Sequence, residues 1–261
     1  MTKGFDIASV DYDTAFTFSK IGKAQRQQVF KYLKPTINKN ENLSILELNC
    51  GTGEDAIQFA SLGHEVLATD VSEGMIKVAK IKSHSSNPNF QTLDINTLSD
   101  TTFNNKFDFI FSNFGGFNCL SKDQLKAFFS TVPHLLNTSG KIILVIMPKQ
   151  CLWERVYFTL KGNLKKAKRR HTKESIPANV DGVIVDAWYH NPEDIVSLAE
   201  KDFFINQIRP IGLTIPPSYL ETSFLANKLF ISIYKGIDSV LTNSFWAKYA
   251  DHFLIELTKK S

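Results

Sequence analysis

The stretch from Ile45 to Ala56 could hold a ligand through its main chain. It begins as an apolar strand, passes through Gly51 and Gly53, and continues into the amphipathic segment 55–62. A strand that turns on glycines into a helix leaves unpaired N–H groups at the helix start, where the missing side chains let a ligand approach. Such a turn suits a nucleotide or nucleoside. A simple tight turn is an equal alternative, and the Gly-x-Gly-x-x-Ala spacing also fits a dinucleotide fingerprint.

Two acidic residues that follow later apolar runs could also contact a nucleoside. Asp70 stands nineteen residues past the first glycine of the turn, and its carboxylate can accept both ribose hydroxyls. Capping of the helix that starts at Ser72 would also explain Asp70. Asp94, with the apolar Ile95 beside it, could pair with an adenine amino group, although capping of the turn at 96–98 explains it almost as well.

Strand and helix patterns alternate along the first 150 residues. The strands are predicted from Ile45 and at 65–69, 89–93, 106–112 and 141–147, with helices at 55–62, from 72 and at 121–136. This alternation predicts an α/β fold with a parallel, doubly wound sheet, in which ligands bind beyond the carboxyl ends of the strands. Polar or glycine residues stand at four of those ends: 49–53, 70, 94 and 113–116. Their coincidence on one edge favours a cofactor crevice.

Length and composition predict a soluble, cytoplasmic protein. The 261 residues, 43% of them apolar, suit one α/β domain with insertions. The first residues lack the apolar core of a signal peptide, and no run reaches the roughly 18 apolar residues that span a bilayer. Cys50, Cys119 and Cys151 show no paired spacing, so we expect no disulfide framework and no metal site. Cys50 is predicted to be a packing residue.

Taken in order, these segments resemble the successive motifs of class I S-adenosylmethionine-dependent methyltransferases of the small-molecule type. The resemblance spans roughly residues 12–148 and rests on Glu47-Leu-Asn49-Cys-Gly51-Thr-Gly53, Asp70, Asp94-Ile95 and the segment 112–118. It implies a Rossmann-like, seven-stranded sheet whose antiparallel last strand lies between the fifth and the sixth. It also implies that the glycine turn holds the methionine part of S-adenosylmethionine, Asp70 the ribose, and Asp94 with Ile95 the adenine.

The resemblance implies further cofactor contacts, and the sequence departs from the family pattern at one position. Asn49 stands where the family usually has glycine, and Asn is the residue other than glycine that best tolerates a left-handed backbone. By the resemblance, Tyr12 and Arg26 of the N-terminal arm reach the cofactor carboxylate; an exposed helix charge is the alternative for Arg26. The full set of predicted cofactor-binding residues is Tyr12, Arg26, Glu47, Asn49, Cys50, Gly51, Gly53, Asp70, Val71, Met75, Asp94, Ile95, Asn113 and Phe114.

The chain divides into an arm, a domain and a cap. Residues 1–40 are predicted as a helical arm, with a helix at 25–33 that Pro35 stops. Residues 41–148 and 191–261 form the cofactor-binding domain, in which 218–250 is an apolar helical insertion. A last strand at the edge of the sheet is predicted at 251–257. Residues 149–190 form an α/β cap insertion over the crevice.

The cap is predicted to be amphipathic and basic. One apolar helical face is formed by Trp153, Val156, Tyr157, Leu160 and Leu164, the lysines and arginines of 161–173 take the other, and a hairpin follows at 179–185. A solvated basic face is the leading interpretation. The alternatives are a grip on an acidic or carrier-bound substrate, peripheral contact with a membrane, and contact with RNA phosphates. Nucleic acid is disfavoured, because no aromatics interleave the basic residues.

The predicted acceptor site lies under this cap. Phe117, Trp153, Trp188 and Tyr189 could wall a substrate, and His190 is the best placed base, although a structural histidine there is the stronger interpretation. His171 is a weaker candidate. The function indicated is methyl transfer from S-adenosylmethionine to a small, apolar or aromatic acceptor by direct displacement. The alternatives are an NAD(P)-dependent oxidoreductase, an RNA methyltransferase and a non-catalytic cofactor-binding subunit.

Overall fold

The computed structural model describes residues 2–38, 42–180 and 183–261. Its nine strands within these ranges are β1 (Ser44–Leu48), β2 (Glu65–Asp70), β3 (Asn89–Thr92), β4 (Phe107–Ser112), β5 (Leu136–Ile146), β6 (Ile176–Val180), β7 (Val183–Ala187), β8 (Phe203–Ile211) and β9 (His252–Lys259). Seven of them form one sheet in the order β3-β2-β1-β4-β5-β9-β8, and β6 and β7 form a separate hairpin. The predicted Asp-Gly turn of that hairpin lies outside the described residues.

Helices cover both faces of the large sheet and build the arm, cap and insertion. They are α1 (Thr2–Ala8), α2 (Lys20–Ile37), α3 (Glu54–Ser61), α4 (Glu73–Lys82), α5 (Lys122–Leu135), α6 (Leu152–Leu160), α7 (Leu164–Ala167), α8 (Pro192–Ala199) and α9 (Lys228–Val240). A single π-helical turn occupies Asp13–Thr17 in the arm. None of the helices in the described ranges is both long and apolar enough to cross a membrane.

Strands β1 to β5 pair in parallel, whereas β9 runs antiparallel between β5 and β8. The antiparallel direction agrees with the resemblance, but the expectation of an edge strand at 251–257 is wrong. Leu254, Ile255 and Leu257 are fully buried, so this strand needs cover on both faces and partners on both sides. Because Phe253 pairs with Ile146, the start of β9 lies beside the carboxyl end of β5.

Successive side chains of the central strands point to opposite faces of the sheet, so each strand contributes to the core on both faces. Leu46 and Ile110 contribute to a cluster that also includes α5, while Ile45 and Phe109 contribute to a cluster on the other face with α2 and α3. A smaller third cluster joins the arm to the 218–250 insertion through Ile21, Ala24, Ile215, Leu220, Ala226 and Ile231. The arm is therefore packed against the domain.

The arm helix differs from its prediction at both ends. Ser19 caps α2 by accepting a hydrogen bond from the Gly22 N–H at 2.9 Å, so the helix begins before residue 25. Pro35 does not stop it. This proline is exposed in the last turn, while Leu33 and Ile37 on either side of it are buried. Burial of these side chains offsets the one backbone hydrogen bond that proline removes.

Candidate active site

The glycine turn adopts left-handed backbone at three positions. The φ angles are +56° at Asn49, +54° at Gly51 and +78° at Gly53. A Cβ at Gly53 would lie 2.6 Å from the ring of Phe90, so glycine is required there. Asn49 thus takes the conformation that its residue type permits, and the turn retains its shape despite the departure from glycine.

Asp70 fixes the glycine turn to the end of β2. Its Oδ2 accepts a hydrogen bond from the Gly51 N–H and its Oδ1 accepts one from the Ser72 N–H, each at 2.9 Å. Burial raises the pKa of Asp70, and these hydrogen bonds act in the opposite direction. Since each carboxylate oxygen accepts two hydrogen bonds, capacity remains for two hydroxyls. Helix α4 is capped by Ser72, whose Oγ accepts from the Met75 N–H at 3.1 Å.

Arg26 is directed at the turn and is not the exposed helix charge of the alternative interpretation. Its Nη1 lies 2.5 Å from Oδ1 of Asp55, the second residue of α3, and its side chain is 13% exposed. Oδ2 of Asp55 accepts a hydrogen bond from Asn113 at 3.0 Å. The guanidinium also lies 5.5 Å from the ring centroid of Phe114. Asp55 was missed in the sequence, although its place directly after the glycine turn was a usable signal.

Glu47 is a buried carboxyl with an unused acceptor. Its Oε2 accepts no hydrogen bond from any residue in the described ranges. Burial raises the pKa of Glu47 well above its ordinary value, and the nearby charge of Asp55 adds to this effect. A buried carboxylate with a free lone pair at the end of a strand is a place where a cationic group would be favoured. Cys50 beside it is buried, as expected of a packing residue.

The N-terminal arm closes over the turn. The Tyr12 ring lies 3.8 Å from the position that a Cβ on Gly51 would take. Asp13 accepts a hydrogen bond from Thr52 Oγ1 at 2.6 Å and forms an ion pair with Lys82 at 2.9 Å. Asp13, Thr52 and Lys82 carried no signal in the sequence, because their contact depends on the packing of the arm onto α4.

The two residues expected at adenine have local structural roles. Oδ1 of Asp94 accepts hydrogen bonds from the main-chain N–H and the side-chain amide of Asn96, at 2.9 and 2.8 Å. Asp94 therefore caps the turn, as the alternative interpretation proposed, and its contact with adenine stays a prediction, as does that of Ile95. Val71 is half-buried, and Met75 is buried.

An aromatic group lies after β4, beside the glycine turn. Phe114, at φ +37°, has its ring centroid 5.2 Å from that of Phe16 in the arm and 5.3 Å from that of His252. His252 opens β9, and its Nδ1 lies 3.4 Å from Asp251 Oδ2. Phe16 and His252 were absent from the predicted site. The Asp-His pair at the start of the last strand was the available signal for His252.

Several residues expected to contact the acceptor belong to the interior. Phe117 is fully buried, with its ring centroid 4.8 Å from that of Phe128, because the turn after β4 points it into the core. His190 is buried and its Nε2 lies 3.0 Å from the Leu120 carbonyl. Burial lowers the pKa of His190. These contacts support the structural interpretation of His190 over that of a base.

The other aromatic residues that were expected to line the acceptor site also make contacts within the protein. Trp153 donates its indole N–H to the Thr214 carbonyl at 2.9 Å. Tyr189 is buried, with the Arg170 guanidinium 5.1 Å from its ring centroid. Trp188 is half-buried and its main chain pairs with Asn118, which accepts from the Trp188 N–H at 2.7 Å and donates its side-chain amide to the Trp188 carbonyl at 2.6 Å.

Two arginines of the basic run anchor the cap: Arg170 is buried, and Arg169 is partly buried. Arg169 and Arg170 both bind Glu154 of α6, and Arg170 also binds Asp251, with Nη2 2.8 Å from Oδ1. The leading expectation of a solvated basic face is therefore wrong for Arg170, and Arg169 is only partly exposed to solvent. Their carboxylate partners are buried, and a paired cation offsets the cost of burying a carboxylate.

The predicted apolar face of the cap divides in two. Trp153 and Tyr157 pack against the third core cluster, whereas Val156, Leu160 and Leu164 are exposed. The single face expected from helical spacing is therefore wrong. The buried Glu154 fixes which side of α6 faces inward, and it turns the other apolar positions outward.

The sequence matches the family described as a methyltransferase domain over residues 45–140. The malonyl-[acyl-carrier protein] O-methyltransferase of Bacillus anthracis is 31% identical over 115 residues, which are 43% of this chain and 40% of that relative. An uncharacterized methyltransferase of Schizosaccharomyces pombe is 27% identical over 39% of this chain and 69% of its own length. The match thus spans less than half of the first of these relatives.

Solved structures of methyltransferases share the fold over most of the chain. The magnesium protoporphyrin IX methyltransferase of Synechocystis, crystallised with S-adenosylhomocysteine, superposes with a TM-score of 0.58 at 17% identity, covering 92% of this chain and 86% of that one. A SAM-dependent methyltransferase of Methanosarcina mazei gives 0.58 at 17% identity, covering 86% and 97%. Residues 45–140 thus match a methyltransferase domain, and the chain shares the fold of S-adenosylmethionine-dependent methyltransferases over most of its length.

Proposed function

We propose that this protein transfers the methyl group of S-adenosylmethionine to a small, apolar or aromatic acceptor that enters between the arm and the cap. The observation that carries the proposal is the pair of hydrogen bonds that the Asp70 carboxylate accepts from the N–H groups of Gly51 and Ser72. It holds a carboxylate with spare acceptor capacity at the sheet edge where such folds bind their ligands.

The residues at this edge fit the cofactor. The unpaired Oε2 of Glu47 offers a buried acceptor for a cationic group. Of the three left-handed positions of the turn, the two glycines have no side chain, and the third directs its side chain away from the outer surface. Arg26 retains a buried Nε without a hydrogen-bond partner in the described ranges, which suits a carboxylate. The residues proposed to hold the cofactor are Tyr12, Arg26, Glu47, Asn49, Gly51, Gly53, Asp70, Asp94, Ile95, Asn113 and Phe114.

The chain's own contribution to catalysis is positioning and the exclusion of water. When bound, the cofactor supplies an electrophilic methyl group on a sulfonium. The pairing of Asp13 with Thr52 and Lys82 holds the arm over the turn, so that water is kept away from the crevice. Direct displacement needs donor and acceptor in line, which a fixed crevice favours. Where the acceptor atom carries a proton, His252 is the group that we propose to receive it.

The aromatic group beside the turn supports an apolar or aromatic acceptor. Phe16 and Phe114 contact each other edge to face, and His252 contacts Phe114 in the same way. Aromatic rings offer flat apolar surfaces to a planar substrate. The names of the relatives mention malonyl-[acyl-carrier protein] and magnesium protoporphyrin IX. Both belong among the acceptors to test.

The proposal is tested by methyl transfer from labelled S-adenosylmethionine. The wild-type protein is incubated with a panel of carboxylic acids, phenols, amines, a porphyrin, a malonyl-carrier protein and RNA, and label in each acceptor is counted. We expect transfer to at least one small acceptor, and a loss of about tenfold or more for Asp70→Asn. Glu65→Gln, an exposed carboxylate at the opposite end of β2, is the matched control.

Two outcomes would contradict the proposal. Transfer to RNA alone would indicate an RNA methyltransferase. Tight binding of S-adenosylhomocysteine with no transfer to any member of the panel would indicate a non-catalytic cofactor-binding protein.

A further inference from the structure

Helices α6 and α7 expose a stripe of aliphatic side chains. Leu152, Val156, Leu160 and Leu164 follow one another at intervals of four residues and are 41%, 49%, 83% and 60% exposed. Residues four apart lie on one side of a helix, so the first three share one side of α6, and Leu164 is the exposed first residue of α7. Together with the exposed cations Arg155, Lys161, Lys165, Lys166 and Lys168, they form what is called here the basic apolar face.

This face is fixed outward by the opposite side of α6. Glu154 is buried and binds Arg169 and Arg170, while Trp153 and Tyr157 pack on the third core cluster. Rotation of α6 to bury its aliphatic stripe would therefore expose the aromatic side chains and break a buried ion pair. The exposed leucines are a stable property of the folded cap.

The charges on the basic apolar face are all positive. Glu154 is the only acidic residue between 151 and 173, and it is buried and paired. Beyond this segment, the exposed Lys173 is followed directly by the exposed Glu174, so neither is counted in the basic apolar face. A surface with clustered lysines and no exposed carboxylate is complementary to an anionic partner.

Two of these lysines extend along aromatic rings. Lys161 Nζ lies 4.5 Å from the ring centroid of Tyr157, and Lys166 Nζ lies 5.7 Å from that of Phe158. The Phe158 ring stacks in turn on Tyr219, which is 44% exposed. Long basic side chains whose stems cover apolar surface, with aromatic rings beside them, are typical of the boundary between lipid and water.

A second exposed apolar surface lies on α9, which contacts the inward side of α6. Trp153 contacts Tyr234 of α9, with ring centroids 6.0 Å apart. The α9 helix exposes Leu229, Ile233 and Val240, at 67%, 48% and 78%. Exposed aliphatic groups of this extent mark an interaction surface in a folded protein.

We propose that the basic apolar face docks on an anionic phospholipid bilayer. The aliphatic stripe enters the boundary between headgroups and acyl chains, and the lysines contact lipid phosphates. The stripe favours lipid over nucleic acid, because Leu160 and Leu164 would gain nothing from a phosphate backbone. Since Arg170 ties the cap to Asp251 beside the carboxyl edge of the sheet, docking brings that edge close to the membrane. The proposal does not depend on methyl transfer.

The test is sedimentation of the full chain with vesicles. One set contains phosphatidylcholine alone and the other contains phosphatidylcholine mixed with phosphatidylglycerol. We expect binding to the mixed vesicles, at least about tenfold stronger than to phosphatidylcholine alone, since each lysine near an anionic surface adds to the attraction. Equal binding to both sets, or binding to neither, would overturn the proposal.

Two pairs of variants separate this face from general adhesion of a basic protein. Leu160→Ser with Leu164→Ser should weaken binding about tenfold, because two aliphatic side chains leave the interface. Ile81→Ser with Leu62→Ser, which alters exposed aliphatic residues on α4 and just after α3, should not. Lys165→Glu with Lys166→Glu should weaken binding, whereas Lys122→Glu with Lys126→Glu on α5 should have little effect. All eight residues are exposed, so the fold is retained.

Unchanged binding in both cap variants would refute the proposal. Tighter binding of polyuridylate than of the mixed vesicles would also overturn it, in favour of RNA.

Discussion

Arg170 of the cap and Asp251 of the domain form a buried ion pair. Arg170 Nη2 lies 2.8 Å from Asp251 Oδ1, Arg170 Nη1 donates to the Asp251 main-chain carbonyl at 2.9 Å, and both side chains are 5% exposed. The arginine also binds Glu154 at 2.9 Å. The pair joins the end of α7 to the start of β9, and it therefore fixes the cap beside the proposed site.

Replacement of Arg170 should be strongly destabilising. Arg170→Met leaves Glu154 and Asp251 buried with less compensation, which typically costs about 3–5 kcal/mol of unfolding free energy. Urea denaturation followed by circular dichroism measures the effect. Arg169→Met is the control, because Arg169 is 36% exposed in its pair with Glu154, and it should cost about 1 kcal/mol. Equal losses in the two variants would show that the Asp251 contact is unimportant.

The same cluster of charged side chains predicts that the protein becomes less stable in acid. Burial of Glu154 and Asp251 opposes their ionisation, but Arg170 and Arg169 beside Glu154, and His252 and Arg170 beside Asp251, outweigh it and lower both pKa values. The unfolded chain therefore binds more protons at these groups than the folded chain does. Their contribution to stability is complete above about pH 5 and is lost as the pH falls through the lowered folded values. Urea midpoints of the wild type should fall over this range, and those of Arg170→Met should fall less steeply.

Asn49 should tolerate glycine better than a β-branched residue. Its φ of +56° is strained for valine, so Asn49→Val should cost about 1–3 kcal/mol and weaken S-adenosylhomocysteine binding. Asn49→Gly permits the same backbone and loses only a weak hydrogen bond to Ser112, at 3.4 Å. Urea denaturation and calorimetry of both variants test this. A valine variant as stable as the glycine variant would contradict the left-handed turn.

Glu47 should make cofactor affinity depend on pH. Because burial raises its pKa, Glu47 ionises at a higher pH than the ordinary value of about 4.3. A cationic cofactor is favoured by the ionised carboxylate, so the affinity for S-adenosylmethionine should rise as the pH rises through that pKa. Titration calorimetry at several pH values should show this rise in the wild type and a weaker dependence in Glu47→Gln. An identical dependence in both proteins would exclude Glu47 as its source.

The parallel core of the fold was predictable from the sequence. Alternating runs and glycine or acidic ends predicted β1, β2 and β4, and Ser72 predicted the start of α4. These features are local: strand period, helix capping and left-handed turns depend on neighbouring residues. The order of the sheet, with β9 inside, came from the family resemblance, since pairing between distant strands leaves little trace in a single sequence.

The acceptor side of the site was not predictable in the same way. Phe117 and His190 were expected beside the substrate but are buried, whereas Phe16 and His252 contact Phe114. These contacts join the arm, the loop after β4 and the last strand, which are far apart in the chain. The direction in which an aromatic side chain points depends on such packing and not on its spacing.

The central claim is that Asp70 and the glycine turn bind S-adenosylmethionine. The most direct test is titration calorimetry of the wild type, Asp70→Asn and Glu65→Gln with S-adenosylhomocysteine, with NADH as the competing ligand. We expect the wild type and Glu65→Gln to bind S-adenosylhomocysteine but not NADH, and Asp70→Asn to lose about tenfold or more in affinity, which is about 1.4 kcal/mol. Folded wild-type protein that binds NADH, or that fails to bind S-adenosylhomocysteine, would contradict the claim.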